Sequence, residues 1–399
     1  MARDSEYVMA RTGESPRPDT AEQRGVRRVL FVITDLDYGG AETQVRDVAL
    51  AFKGRGLSVG VVSMLPPVAY QDELTNAGVR VWSLNMKRKI VDPRIVWHLA
   101  RIVREFKPDI VHSHMIHANL LARASRAVGW RKTQLVCTAH SVNEGGRARM
   151  YAYRVTDRWA NITTNVSQAA VDRYVAVGAA PRGRIIYVPN GVDTSRFCPD
   201  EERRTAVRRS LGLAPDQYVL LAVARFEAAK NHAGMLRAFA RVIEVHPHAV
   251  LMLVGQGTLF DATRTLAATL HVTDSVRFLG IRNDIPDLMR ASDLYLMSSL
   301  WEGLPIVLLE AAASGLPAVV TNVGGNATAV SDGVSGRIVP PNNDEALAAA
   351  VTEVLNMSQE TRRSWGHAAR LLAQSSFSLE AVVDRWFALY TSLIEPMVS

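Results

Sequence analysis

The chain has 399 residues, of which 48% are hydrophobic and 21% are charged. This composition is typical of a folded globular protein, and the length is sufficient for two domains that each bury a core. No run of about 18 apolar residues is present, which excludes a membrane-spanning helix. The only cysteines, Cys137 and Cys198, lack the spacing of a metal site or a disulfide framework, which predicts a reducing, cytoplasmic location.

Charge is distributed unevenly along the chain. Up to Val188 there are 28 Lys and Arg against 17 Asp and Glu, a balance of +11, and beyond it there are 18 against 22, a balance of −4. A basic first half suits an anionic surface or an anionic substrate. Nucleic acid is not expected as the partner, because the basic clusters have little aromatic interleaving and no reader motif is present.

The N-terminal segment differs from the rest. Residues 1–25 are polar, lack the apolar core of a secretion signal and are predicted to be a disordered tail. Beyond them, apolar β-branched runs alternate with helical patterns, which predicts parallel βα units. The strands predicted in the first half are 29–34, 57–64, 79–84, 109–114, 135–140, 162–166 and 185–188, with helices at 42–53, 94–106 and 118–128. The strands predicted in the second half are 218–224, 249–254, 276–280, 294–298, 318–321 and 336–339.

The predicted fold class is therefore α/β, with two doubly wound Rossmann-like domains that face a central cleft. The domains are predicted at 26–188 and 189–376, because a turn-rich Pro-Asn-Gly-Val-Asp segment begins at Pro189. A C-terminal unit, 377–399, contains an amphipathic stretch at 379–394. We expect this stretch to form a helix that crosses the domain junction and returns to the first domain.

Ligands of open parallel sheets bind beyond the carboxyl ends of the strands, so functional residues are expected in the loops there. The most informative loop runs from Glu302 to Glu310: Gly303, Leu304 and Pro305 are predicted to form a turn, and Ile306 and Val307 the first turn of a helix. Free backbone N–H groups and the helix dipole would then suit a diphosphate. Glu302 would accept hydrogen bonds from sugar hydroxyls and Glu310 from a ribose. Taken alone, Glu302 is better explained as a solvated loop acid and Glu310 as a helix-terminus acid, and only the other motifs favour the ligand-binding interpretation.

Two further loops contain candidate phosphate contacts. Gly39 and Gly40 follow the first strand and open a helix, which suits either close approach of a ligand or simply a tight βα turn; the pattern is neither a Walker A motif nor G-x-G-x-x-G. Arg225 and Lys230 follow the first strand of the second half and would flank a diphosphate, unless they are ordinary solvated residues.

Histidines are concentrated in the first half. His140 stands at the end of a predicted strand, where its side chain would point into the cleft, although a lone histidine is also often structural. His112, His114 and His117 form a denser cluster, but without a paired carboxylate their spacing suits neither zinc nor a catalytic triad. No metal and no cofactor are predicted.

Together, the Gly-Gly-Ala-Glu turn, His140, the Pro-Asn-Gly-Val-Asp segment, Arg225 with Lys230 and the two glutamates closely resemble the retaining glycosyltransferases of family 4, which have the GT-B fold. The resemblance extends from about Arg28 to the end of the chain. Its most specific part is the glutamate pair followed by Ala-Ala-Ala-Ser-Gly-Leu-Pro at 311–317.

The resemblance implies a role for each residue. Arg225 and Lys230 would hold the diphosphate of a nucleotide sugar, Glu310 its ribose and Glu302 a hydroxyl of the transferred sugar, while the backbone of residues 303–307 completes the phosphate cradle. His140 would reach the sugar from the facing domain. Gly39 and Gly40 would let donor and acceptor meet, and the loop containing Ile281 would lie against the base. The family works without a bound metal, and front-face displacement would retain the anomeric configuration.

These expectations define a hexosyltransferase that uses a UDP- or GDP-sugar. Its acceptor would be a glycan or lipid-linked glycan in the synthesis of a surface polysaccharide such as lipopolysaccharide. The alternatives are an epimerase or a synthase that acts on small soluble substrates, and a sugar-nucleotide-binding subunit without turnover. Intact candidate residues argue against the non-catalytic alternative, because loss of function would be expected to remove at least one of them.

The basic first half also predicts peripheral attachment to the cytoplasmic face of an anionic membrane. The proposed contact combines Lys87, Arg88 and Lys89 with a helix that carries Arg147, Arg149, Arg154 and Arg158, among which Met150, Tyr151, Tyr153 and Trp159 are interspersed. The alternative is that Tyr151, Val155 and Trp159, at helical spacing, form an ordinary buried face.

Overall fold

Two parallel sheets organise the chain in the computed structural model, which describes residues 25–87, 92–142 and 144–394. The predicted tail, apart from residue 25, lies outside the described residues, as do Arg88 and Lys89.

The first sheet has seven strands in the order β3-β2-β1-β4-β5-β6-β7. All its strands are parallel, and the order reverses between β1 and β4. The strands are β1 (Arg28–Ile33), β2 (Ser58–Ser63), β3 (Arg80–Ser83), β4 (Ile110–His114), β5 (Gln134–Ala139), β6 (Ile162–Asn165) and β7 (Ile185–Tyr187). The helices are α1 (Gly40–Gly54), α2 (Gln71–Asn76), α3 (Arg94–Phe106), α4 (Ile116–Gly129), α5 (Arg147–Thr156) and α6 (Gln168–Ala176).

The second sheet has six parallel strands in the order β10-β9-β8-β11-β12-β13, so its order reverses between β8 and β11. The strands are β8 (Val219–Val223), β9 (Val250–Val254), β10 (Val276–Gly280), β11 (Leu294–Met297), β12 (Ala318–Thr321) and β13 (Gly336–Val339). The helices are α7 (Glu201–Ser210), α8 (His232–Val245), α9 (Phe260–Thr269), α10 (Ile285–Ala291), α11 (Ile306–Ala313), α12 (Asn326–Ala329), α13 (Asp344–Asn356), α14 (Gln359–Phe377) and α15 (Leu379–Ile394).

Every predicted strand is present, and each of its ends lies within one residue of the predicted position. The fold class is thus confirmed: two Rossmann-like α/β units with parallel sheets. The prediction succeeded because helices cover both faces of a parallel sheet, so its strands read as continuous apolar runs. In β9, for example, all five residues are apolar and buried.

The C-terminal helix α15 belongs to the core of the first sheet, although it follows the second sheet in sequence. Val382, Val383, Trp386 and Tyr390 of α15 are buried in the same cluster as residues of β1 and α1. The crossing is anchored at Val192, whose N–H donates to Phe377 O and whose carbonyl accepts from Leu379 N, each at 2.8 Å. The helix therefore links the two units a second time.

Trp386→Ala tests this packing. Trp386 is only 3% exposed, and its ring centroid lies 4.6 Å from that of His112. We expect the substitution to lower the free energy of unfolding of the first unit by about 3 to 5 kcal/mol, because it opens a cavity in a close-packed core. Urea denaturation followed by circular dichroism measures the change.

The matched control is Trp97→Ala on α3, where the side chain is 58% exposed. That variant should remain within about 0.5 kcal/mol of the wild type. Equal stability of the two variants would contradict the packing of α15 in this core.

Candidate active site

The carboxyl ends of the two sheets meet backbone to backbone. A Cβ added at Gly303, in the loop after β11, would lie 2.1 Å from the carbonyl oxygen of His140, which follows β5. Only a glycine permits this approach, since any side chain would collide with main-chain atoms. The same loop is fixed to the junction between the units by Asn190, whose Nδ2 donates to Leu304 O at 2.7 Å. The two units therefore touch at this point and close the cleft between them.

Two helices begin at this closed point. Helix α1 begins at Gly40 after the N-cap residue Gly39, and α11 begins at Ile306 after Pro305; neither N-cap supplies a side-chain hydrogen bond. A Cβ added at Gly40 would lie 4.0 Å from Ile306 Cδ1, so the two N-termini are close neighbours. The first turn of a helix has N–H groups without helical acceptors, and its dipole is positive there. The pair of N-termini is suited to a multiply charged anion.

Helix α11 begins where the sequence predicts it. Seven of its eight residues are buried, Glu310 among them, because every residue except Glu310 is apolar and the helix packs inside the second unit. The predicted turn of Gly303, Leu304 and Pro305 precedes it, with Ile306 and Val307 in its first turn. The position of its N-terminus is thus fixed by core packing rather than by a cap.

Glu302 is paired with a cation, Lys230. Its side chain is buried, and Oε1 accepts from Lys230 Nζ and from Ser299 Oγ, each at 2.6 Å. Lys230 ends a 3₁₀ turn, Ala228–Lys230, in the loop after β8, while Glu302 lies in the loop after β11. The ion pair joins the loops of the two strands at which the sheet order reverses, which is where such sheets bind ligands.

Arg225 stands at the same strand ends but is open to solvent. Its side chain is 65% exposed, and Nη1 lies 3.4 Å from Glu227 Oε1, an exposed pair that contributes little stability. The guanidinium is nevertheless close enough to Glu42 of the facing unit to oppose the rise in the pKa of that carboxyl. Arg225 is thus an exposed cation at the rim of the closed site, where an incoming anion can reach it.

Glu42 is a site residue to which the sequence analysis assigned no role. It is 7% exposed, and burial, followed by a hydrogen bond with Asp35, raises its pKa to about 8. It is therefore mostly protonated at neutral pH. A Cβ added at Gly39 would lie 2.3 Å from Glu42 Oε2, so the carboxyl folds back over the start of its own helix. The third position after a helix N-cap is the position from which a glutamate reaches back in this way, and that spacing was the available signal.

Glu310 lies deeper, at the contact between α11 and α1. It is 8% exposed, and burial, with a smaller effect of the negative charge of Asp47, raises its pKa to about 7. The positive charges of Arg196 and Arg46 oppose that rise. A carboxyl in either protonation state accepts a hydrogen bond from a hydroxyl, so the position remains compatible with a ribose contact.

His140 is uncharged at neutral pH. Burial lowers its pKa to about 4, and its Nε2 lies 3.0 Å from His114 Nδ1. Its backbone N–H donates to Glu144 Oε1 at 2.9 Å. An uncharged imidazole held in this way presents hydrogen-bonding atoms rather than a positive charge.

The other histidines have separate roles. His112 Nδ1 lies 2.6 Å from the Tyr390 hydroxyl of α15, and its Nε2 lies 2.6 Å from Thr138 Oγ1, so the ring is used in the core. The ring of His112 also lies against that of His114, with ring centroids 4.0 Å apart and planes tilted by 40°. His117, on α4, is exposed, and partial desolvation together with the charge of Arg149 lowers its pKa.

The mouth of the second sheet is shaped by glycines. Gly280, at a φ of 64°, ends β10, and its carbonyl accepts from Gly255 N at 2.8 Å. Ile281 follows with 56% of its surface exposed, and Arg282 Nη2 pairs with Asp284 Oδ2 at 2.5 Å. The loop therefore offers an exposed apolar side chain and a tightly turned backbone beside the cleft.

The first unit has a pocket of about 180 Å³ at the ends of β1, β2 and β3. Its lining combines carboxylates with apolar groups, from Asp35, Asp37, Leu65, Pro66, Val68 and Met86. Such a lining suits a sugar ring, whose C–H face is apolar and whose hydroxyls donate to carboxylates.

One expectation for helix α5 is corrected. The helix ends at Thr156, so Arg158 lies instead in a 3₁₀ turn, Asp157–Trp159. The buried face consists of Met150 and Tyr153. Tyr151 is 65% exposed and Val155 is 47% exposed, so the alternative that they form a buried face with Trp159 is wrong.

Among the described residues, no helix combines the length and apolar character that crossing a bilayer requires.

Comparison with known proteins assigns this chain to a family. Residues 38–196 match the model of glycosyltransferase family 4, and residues 203–372 match that of glycosyl transferases group 1. The chain is 32% identical to D-inositol 3-phosphate glycosyltransferase of Geodermatophilus obscurus over 96% of this chain and 92% of that protein. It is 28% identical to UDP-Gal:alpha-D-GlcNAc-diphosphoundecaprenol alpha-1,3-galactosyltransferase of Escherichia coli over 66% of this chain and 71% of that protein.

Solved structures agree on the fold. Anabaena HepE in complex with UDP-glucose has a TM-score of 0.81 at 22% identity, covering 92% of this chain and 99% of that chain. The chain therefore belongs to glycosyltransferase family 4, with the GT-B fold, and it is a glycosyltransferase.

Gly303→Ala tests the closed contact. The added methyl group collides with His140 O, so we expect it to hold the two units apart by about 1 Å or more. A misplacement of that size lowers turnover by about 100-fold. Steady-state kinetics measures the loss, and small-angle scattering measures the change in shape.

Gly54→Ala is the matched control, because a Cβ at the end of α1 meets nothing within 4 Å. It should leave turnover unchanged. Normal turnover in Gly303→Ala would show that the contact with His140 is not needed for sugar transfer.

Proposed function

We propose that the protein transfers a hexose from a UDP- or GDP-sugar to a glycan or lipid-linked glycan in surface polysaccharide synthesis, with retention of configuration and without a metal ion. The observation that supports this most directly is the meeting of the N-termini of α1 and α11 beside the Lys230–Glu302 ion pair. A nucleoside diphosphate is the anion whose size and charge suit two helix dipoles and two cations.

The donor half of the proposal is supported by relatives as well as by charge. The structure of HepE contains UDP-glucose, and the E. coli relative is named for transfer from UDP-Gal. In this chain the donor phosphates would lie at the start of α11. The sugar would lie between Glu302 and His140, and the ribose would lie near Glu310, with Ile281 beside the base.

The ion pair between Lys230 and Glu302 has a specific use in this arrangement. It neutralises the buried charge of Glu302 and the partly buried charge of Lys230, which are costly to leave unpaired. When the donor binds, Lys230 would interact with the diphosphate as well as with Glu302, and Glu302 would accept a hydrogen bond from a hydroxyl of the sugar. Arg225, exposed at the rim, would close on the diphosphate from the other side.

The chemistry then depends on stabilising the leaving group. Cleavage of the anomeric C–O bond leaves positive charge on the sugar and negative charge on the departing diphosphate. Arg225, Lys230 and the two helix N-termini would stabilise that negative charge, so no metal ion is required. In front-face displacement the departing phosphate oxygen accepts the proton of the acceptor hydroxyl, and the acceptor attacks from the same face, which retains configuration. His140, being uncharged, would bind the sugar without opposing the charge that develops on it.

The acceptor would enter beside Asp35 and Asp37, in the pocket of the first unit. A second candidate function is supported by the relative from G. obscurus, which is named for a small soluble acceptor, D-inositol 3-phosphate. The balance of +11 in the chain up to Val188 favours the lipid-linked acceptor, because it would bring this unit to an anionic membrane surface. The enzyme would then be peripheral on the cytoplasmic face.

A single assay separates these functions. The protein is incubated with a panel of UDP- and GDP-sugars in excess chelator, with membrane extract or with a set of small polyols as acceptor. We expect nucleoside diphosphate release that requires the membrane extract, and a product with the anomeric configuration of the donor. A requirement for added Mg²⁺ would overturn metal independence, and inversion of configuration would overturn retention. Epimerisation of the donor sugar, or binding without turnover, would overturn sugar transfer.

Arg225→Ala and Lys230→Ala test the charges on the leaving group. Each should lower turnover by at least about tenfold, because a charge-assisted contact that strengthens in the transition state contributes about 1.5 to 3 kcal/mol. Arg264→Ala, at an exposed position on α9, is the control for loss of a positive charge from the same unit. Wild-type turnover in both test variants would remove the diphosphate assignment.

Attachment to a membrane is tested on α5 and the turn that follows it. Arg147, Arg154 and Arg158 are exposed around Tyr151, so both charge and apolar surface face outward. Each basic residue near an anionic surface contributes about 1 kcal/mol, which salt weakens. Changing the three arginines to Gln should therefore reduce sedimentation with anionic vesicles at least tenfold at low salt.

The control changes Arg241 and Arg264, exposed on the other unit, to Gln. Equal loss of vesicle binding in both variants would show a general charge effect, and no binding by the wild type would rule out this surface.

A further inference from the structure

His140 is held at three positions. Its ring lies against His114, its carbonyl lies against Gly303, and its backbone N–H donates to Glu144 Oε1. We propose that Glu144 is a positioning residue for sugar transfer, whose ionised carboxylate fixes the main chain of His140 and thereby the surface on which Gly303 closes. This inference rests on the proposed contact of His140 with the donor sugar.

The contacts of Glu144 are those of a fixed group. Besides Oε1, its Oε2 accepts from the Tyr153 hydroxyl at 2.8 Å. That hydroxyl accepts in turn from Asn119 Nδ2 at 2.7 Å, and the same Nδ2 lies 2.9 Å from Thr138 O on β5. Glu144 is thus connected through two side chains to the strand that His140 follows. The network begins at the backbone of His140 and ends at the backbone of Thr138 on the preceding strand, so each residue in it restrains the others.

The local sequence directs the carboxylate inward. Gly145 and Gly146 follow Glu144 with φ of 104° and 93°, a region that favours glycine, and they turn the chain sharply into α5. Arg149, one turn into the helix, donates from Nη1 to the carbonyl of Glu144 at 3.0 Å. With its backbone held from outside, the side chain reaches under the loop to His140.

The position of His140 matters to both sides of the cleft. Its carbonyl is the atom that a Cβ at Gly303 would touch, and Gly303 opens the turn before α11. A shift of the His140 main chain therefore moves the imidazole and the point of closure together. Errors of about 1 Å in such positions lower turnover by about 100-fold.

Ionisation of Glu144 links this geometry to pH. Burial raises its pKa to about 7, and the hydrogen bonds from His140 N–H and Tyr153, with the charges of Arg149 on α5 and Arg123 on α4, oppose that rise. Tyr174 on α6 also faces it. The carboxylate accepts from both donors at once. When the pH falls through about 7, the added proton makes one oxygen of Glu144 a donor. The protonated carboxyl cannot keep both hydrogen bonds, from His140 N–H and from the Tyr153 hydroxyl, in their present geometry.

The test begins with a measurement that needs no substrate. The backbone amide of His140, labelled with ¹⁵N, should titrate with a midpoint near pH 7 in the wild type. It should not titrate near pH 7 in Glu144→Gln, which keeps the size and one acceptor oxygen. In Tyr153→Phe the midpoint should rise, because a hydrogen bond that lowers the pKa of Glu144 is lost. An amide that ignores pH between 5 and 9 in the wild type would overturn the inference.

Kinetics provides the second readout. The turnover number of the wild type should fall on the acid side with an apparent pKa near 7. In Glu144→Gln that acid limb should be absent, and turnover at pH 8 should be at least tenfold lower while the affinity for free nucleoside diphosphate is kept. In Tyr153→Phe the limb should move to higher pH. A Glu144→Gln variant with wild-type turnover and profile would contradict a positioning role.

Asp157→Asn is the matched control. Asp157 is a buried carboxylate of the same unit, paired at 2.6 Å with Arg184. It should lower the melting temperature but leave turnover per folded molecule and the pH profile unchanged; the same profile change there would show that Glu144 acts only through stability. If the wild type transfers no sugar at all, the proposed function fails, and the amide titration still decides whether Glu144 positions His140.

Discussion

The approach of Gly303 to the carbonyl of His140 is the constraint on which the site depends. It is a main-chain contact between the ends of two separate sheets, so neither unit can provide the site alone. It also bears on the distance between the N-termini of α1 and α11, because α11 begins at Ile306, shortly after Gly303, and Gly40 at the start of α1 lies beside the Ile306 side chain. Helix α15, buried in the first unit and joined to the second by α14, limits how far the units can separate.

Burial at this closed point has an electrostatic cost that the substrate is suited to relieve. Glu42, Glu302 and Glu310 are all less than a tenth exposed, and the pKa values of Glu42 and Glu310 are raised mainly by burial. Only Glu302 is paired directly with a cation, Lys230, within the described residues. Under the proposed function, a polyhydroxyl donor would donate hydrogen bonds to these carboxyls, while its diphosphate would contact the cations and the helix N-termini. Donor binding would thus satisfy groups of both signs at once.

The strands and the turn before α11 were predictable because their signals are local. Parallel strands read as apolar runs, and a Gly-Leu-Pro turn before an apolar helix identifies the N-terminus of α11. The partners of His140 were not predictable in this way. His114 and Glu144 become its neighbours only through the pairing of β4 with β5 and the inward turn at Gly145, and no spacing in the sequence encodes either contact.

Helix α5 shows where periodicity is insufficient. Tyr151 and Val155 have the spacing of a buried stripe, yet both are exposed, because the core instead takes Tyr153, whose hydroxyl binds Glu144 and Asn119. The helix ends at Thr156, so Trp159 leaves the helical register and stacks under Arg158, with the guanidinium carbon 4.9 Å from the ring centroid. A buried polar network thus determined which face of the helix points inward.

The most direct test of the central claim, that the two helix N-termini bind a diphosphate, is calorimetric titration in excess chelator. UDP is compared with UMP, and GDP with GMP. We expect one diphosphate to bind at least about tenfold more tightly than its monophosphate, because the β-phosphate adds charge-assisted contacts of at least about 1.4 kcal/mol. Equal affinities within both pairs would contradict the claim.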